Sequence, residues 1–147
     1  MRDRHTTPPV VEQDGTQRHR RNRPRRPAEA RRAVERVVTE RGGDGRASCD
    51  AHALSDALLV ASELTTNAIL HGGGVTDFQV DVVGPGLRLS VCDRSHDLPV
   101  ALPRTDSQGR RRPGGHGWPI VCRLARDVRV ADLPSGGKCI TVVVPLY

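Results

Sequence analysis

The segment that most constrains the fold lies between positions 50 and 70. There Leu54, Ala57, Leu58, Ala61, Leu64 and Ala68 recur at helical spacing. Asp50 stands where an N-cap belongs, and Gly72, Gly73 and Gly74 end the pattern. A long helix that is apolar on one side only needs a broad surface to pack against. In a chain of 147 residues, such a helix organises one domain with a real core, and the length is too short for two.

The partners of this helix are legible on both sides of it. A first helix is expected over residues 28–41, with Pro27 in its first turn, Gly42-Gly43 after it, and a stripe of Ala30, Ala33, Val34, Val37 and Val38. Downstream, Phe78, Val80 and Val82 alternate with polar residues. Gly84-Pro85-Gly86 turns the chain, and Leu87, Leu89 and Val91 alternate again, which predicts a hairpin. Residues 94–114 show no periodicity and hold Pro99, Pro103 and Pro113, so a lid or binding loop is expected there. A third helix from Gly117 to about residue 126 and strands over 128–131 and 139–144 complete the order. The natural packing is α+β: two or three helices over one face of a mixed, mostly antiparallel four-stranded sheet.

Charge and composition narrow the function. The formal charge is +6, but residues 1–26 hold eight Arg against three acids, and the remainder is close to neutral. The basicity belongs to an arm, which reads as disordered and Arg-rich. That arm is either a solvated tail or a weak contact for a polyanion. With only Phe78, Trp118 and Tyr147 as aromatics, a base-stacking platform, which needs several, is poorly supported. Without a secretory leader or an apolar run of about 18 residues, the expectation is a cytoplasmic protein away from membranes. Cys49, Cys92, Cys122 and Cys139 show no metal-like spacing. They are expected to be reduced, buried small residues, with no disulfide framework.

Three places can carry chemistry. Glu63, Asn67 and His71 follow at i, i+4 and i+8, so they share one edge of the long helix beside its apolar stripe. Such a row is common on an ordinary helix surface. It also suits a metal–phosphate site, with an amide ligand and a carboxylate one turn apart; His71 can equally be a cation at the helix C-terminus. Asp93 ends a strand at the mouth of the lid. It is either a turn-former or an acceptor for a buried exocyclic amine. Gly114-Gly115-His116-Gly117 precedes a helix start, where backbone N–H groups can approach phosphate, or simply gives a flexible loop. Arg110, Arg111 and Arg112 lie just upstream, within reach of a phosphate or of solvent.

In order and spacing these pieces resemble the GHKL (histidine kinase/Hsp90-like) ATPases of Bergerat fold. More narrowly, they resemble the anti-sigma-factor serine/threonine kinases and their single-domain actinobacterial relatives. Residues 59–72, LVASELTTNAILHG, are similar to the family's N box with its ExxxNAxxH core. Residues 91–99, VCDRSHDLP, look like the first glycine box, and residues 114–121, GGHGWPIV, like the second. The likeness covers residues 27–147.

The resemblance implies a two-layer α/β sandwich that binds ATP and Mg2+. Asn67 would hold the metal and Glu63 would be the catalytic base or water-ordering group. Asp93 would accept the adenine amine. Gly115 and Gly117 would line the phosphates, Arg112 would belong to the lid, and His71 would lie beside the nucleotide. The implied activity is transfer of the γ-phosphate to a Ser or Thr of an antagonist protein, with a sigma factor as a further partner and a homodimer as the assembly. Trp118-Pro119 stands where Leu is usual, and Cys139 where Thr is usual. These departures leave room for an ATP-binding, partner-interaction module without turnover. A histidine kinase's dimerisation helix pair finds no place in the sequence. Whether His96, His116 or Lys138 meets nucleotide is not decided by the sequence.

Overall fold

The computed structural model describes residues 23–42, 50–97, 108 and 117–147. The arm of residues 1–22 and most of the expected lid therefore lie outside the described residues. Helices α1 (Pro27–Gly42) and α2 (Ala51–His71) come first. Strands β1 (Val75–Val83) and β2 (Gly86–Asp93) follow, then α3 (Gly117–Leu124), β3 (Asp127–Asp132) and β4 (Lys138–Pro145). Three helices pack on one antiparallel sheet of order β1-β2-β4-β3, an α+β architecture.

The sheet corrects one expectation, since no neighbouring strands in it are parallel. A helical crossover ordinarily delivers a parallel neighbour. Here α3 delivers the chain into β3 at the sheet edge, and the β3–β4 hairpin lays β4 between β3 and β2. β2 and β3, which run in the same direction, are thereby kept apart by β4.

Asp50 caps α2 from an extended conformation, its side chain accepting from the His52 N–H at 3.2 Å. We expect Asp50→Ala to cost about 1 kcal/mol in equilibrium urea unfolding, the usual loss for an N-cap. Ala57, Val60, Ala61, Leu64 and Ala68 of α2 are buried against Leu87, Leu89 and Val91 of β2 and Ile140, Val142 and Val144 of β4. Burying each Val or Leu of this set is worth about 1.5–3 kcal/mol. Ala30 and Val34 bring α1 onto the same core, and Val121 brings α3.

The cysteines depart from expectation. Cys92 and Cys139 form a disulfide, and Cys122 is exposed and free. Cys49 lies outside the described residues. Forty-seven positions separate the bonded pair, so nothing in the spacing announces it. The antiparallel register decides, placing Cys92 directly opposite Cys139 with their Cα atoms 4.0 Å apart. Among the described residues no helix is long and apolar enough to cross a membrane.

Candidate functional site

The C-terminal half of α2 meets the C-terminal end of β2 and the start of β4. Three glycines make this junction close. Gly72 ends α2, its N–H donating to the Ala68 carbonyl at 3.0 Å, and its carbonyl accepts the Arg94 N–H at 2.8 Å. A Cβ on Gly72 would fall on the carboxyl group of Asp93, so the helix end and the carboxylate need a residue without a side chain between them. Gly137, with φ of 95°, leaves similar room for the backbone of Asp93. Gly117, the first residue of α3, fills the third position: a Cβ there would overlap the Glu63 carboxylate.

Asp93 is buried, and its carboxylate is held on both oxygens. Lys138 Nζ donates to Oδ1 at 3.0 Å and to Oδ2 at 2.9 Å. The Ser95 N–H donates to Oδ1 at 2.9 Å. Lys138 is as buried as its partner, each side chain about one-twentieth exposed. The strand register explains the pair, because Asp93 and Lys138 are opposite one another on the rung next to the disulfide. Side chains of successive strand residues point to opposite faces, so the ion pair and the disulfide lie on opposite sides of the sheet. His96 reaches the same corner, its Nε2 accepting the Gly137 N–H at 3.4 Å.

One turn of helix before His71, Asn67 carries a buried amide nitrogen with no hydrogen-bond partner among the described residues. An orphaned buried donor costs about 1–3 kcal/mol, and such groups call for an explanation by ligand, ion or water. A half-turn of the amide presents oxygen in place of nitrogen. Glu63 sits about 6 Å further up the helix axis, one turn away, with its carboxylate against the α3 N-terminus. A carboxylate there is favoured by the helix dipole. These two side chains suit Mg2+, which takes one or two protein oxygens and completes its shell with phosphate and water. They do not suit a metal held by protein alone. Among the described residues, no group of three His, Cys, Asp or Glu could hold one.

The structure thus brings Glu63 to Gly117, and Asp93 to the end of the helix that carries Asn67. His71 occupies the last turn of α2 and is exposed. Gly115 and Arg112 lie outside the described residues. Sequence reasoning singled out neither the Lys138 pairing nor the need for glycine at 72 and 137. The available signal was that Lys138 is the chain's single lysine among 23 basic residues, placed where a strand begins.

With this geometry in hand, residues 21–144 match the family model of the histidine kinase-like ATPase domain. No curated protein sequence matches the chain. Among solved structures, the blue-light activated histidine kinase of Erythrobacter litoralis EL346 is similar, with 20% identity and a TM-score of 0.48. The similarity covers 77% of this chain and 40% of that one.

Proposed function

We propose that the chain, which belongs to the histidine kinase-like ATPase domain family, binds ATP with Mg2+ and uses it to regulate a protein partner. The observation that carries this reading is the buried amide nitrogen of Asn67, without a hydrogen-bond partner among the described residues, one turn from Glu63 on the helix that ends at the Gly72–Asp93 junction. A phosphate oxygen would accept from that donor, or the turned amide would offer its oxygen to the metal. Thr65 Oγ1, the other buried group of α2 without a partner among the described residues, lies in the core and not on this helix edge. Mg2+ would supply charge neutralisation at the phosphates, with Asn67 as its protein ligand. Glu63 would orient or accept the proton of an attacking hydroxyl, and Asp93 would take the amine of the base. Gly117 would leave room for the Glu63 carboxylate beside the α3 N-terminus, whose backbone N–H groups would face the phosphates.

The finer activity we propose is γ-phosphate transfer to a Ser or Thr of an antagonist protein, with or without binding of a sigma factor. Phosphoryl transfer asks mainly for positioning and charge stabilisation, which this set of groups suits. A second reading has one observation in its favour. Pro119 lies in the first turn of α3, where it removes an N–H that phosphate could use. On that reading ATP is bound without turnover while the partner is gripped.

Calorimetric titration of ATP with and without Mg2+ tests the shared claim. We expect Mg2+-dependent binding that Asn67→Ala and Asp93→Asn each weaken by about tenfold or more, roughly 1.4 kcal/mol. No binding by the folded wild type at millimolar ATP overturns it. Transfer of labelled phosphate to a partner protein then separates the two readings.

A further inference from the structure

We infer that Lys138 is the positioning residue for base recognition, orienting Asp93 so that a single acceptor site is left for the nucleobase. The inference rests on the nucleotide reading above. A carboxylate offers about four lone-pair sites. On Asp93 three are occupied: Oδ1 accepts from Lys138 Nζ and the Ser95 N–H, and Oδ2 accepts from Lys138 Nζ. The fourth site, on Oδ2, has no donor among the described residues.

The carboxylate is unable to turn away from this arrangement. Rotation would break the two bonds to a lysine that is itself buried, and Gly72 closes the space on the helix side. A fixed lone acceptor accommodates a base carrying an amino donor, as adenine does at C6. It rejects a base with a carbonyl oxygen at that place, as in guanine, because two acceptors would face each other. Lys138 acts through Asp93, and its charge also balances the buried carboxylate. A purely structural lysine would support the fold without affecting which base is chosen.

The test is ATP and GTP affinity, each with Mg2+, for wild type, Lys138→Met and Lys138→Gln. Far-ultraviolet circular dichroism and thermal melting establish that each variant is folded. The glutamine variant removes the charge and keeps an amide N–H donor on a shorter side chain. We expect wild type to prefer ATP, the ATP:GTP ratio to fall about tenfold in Lys138→Met, and an intermediate ratio in Lys138→Gln. A folded variant that keeps the wild-type ratio, or loses both nucleotides in equal proportion, overturns the positioning role and leaves nucleotide binding standing. A wild type that binds neither nucleotide overturns the nucleotide reading itself, and this inference with it.

Discussion

Gly72→Ala is expected to abolish nucleotide binding and to lower stability by about 3–5 kcal/mol. The backbone is not the reason. Gly72 has φ of −110° and ψ of 3°, which alanine can adopt. The reason is what the methyl meets: the ideal Cβ lies 2.5 Å from Asp93 Oδ2 and 2.6 Å from Asp93 Cβ, and against Cγ. A flexible, solvated side chain would move aside. Asp93 is pinned by Lys138 and the Ser95 N–H, and the Arg94 N–H is bound to the Gly72 carbonyl itself. Relief therefore means breaking a buried ion pair, which costs about 3–5 kcal/mol when one charge is left uncompensated. Against a total of about 5–15 kcal/mol for an ordinary domain, that loss is severe.

Gly74→Ala is the matched control. It has φ of 104° and nothing within 4 Å of the added Cβ, so it pays a backbone cost alone, about 1–3 kcal/mol. Thermal melting and ATP titration of the two variants distinguish steric from conformational loss. If Gly72→Ala melts and binds ATP like wild type, the carboxylate is free to move. The junction would then not be the rigid unit described here.

What the sequence revealed and what it concealed divide by range. The α2 helix was legible because its signals are local: an aspartate cap, apolar residues three and four apart, and a glycine stop. The hairpin was legible from Gly84-Pro85-Gly86, with Gly84 at φ of 59° in a two-residue turn. Glu63 and Asn67 could be placed on one helix edge from spacing alone. Gly117 could be placed at a helix start, but not against Glu63, because that contact depends on how α3 crosses α2. The Asp93–Lys138 pair and the disulfide were hidden for a common reason. Both join β2 to β4 across 45 and 47 positions, and only the register of two strands separated by a helix and a third strand decides who stands opposite whom. Cys139 read in isolation is a substitution for a hydroxyl residue; read in the register, it is half of a cross-strand bond.

Reduction of that bond is the second large effect we expect. Closing a loop of 47 positions restricts the unfolded chain by about 4 kcal/mol in the loop-entropy account. Guanidinium unfolding in the presence of a thiol reductant should move the midpoint down by about 1 M, given an m-value of roughly 3 kcal/mol/M. Cys92→Ala/Cys139→Ala should move it in the same direction under oxidising conditions and then show no further response to reductant. The site should survive the change. Eight consecutive partners, from Gly86 opposite Pro145 to Asp93 opposite Lys138, keep β2 and β4 in register by backbone hydrogen bonds. Lys138 and Asp93 hold each other on the face opposite the sulfurs. ATP affinity measured well below the unfolding transition should therefore stay within about twofold of the oxidised protein, although the folded state has lost much of its margin. An unchanged midpoint would mean the bridge does not form in solution. A midpoint that falls together with ATP affinity would mean that register at the site depends on the sulfur link, not on the ladder and the ion pair.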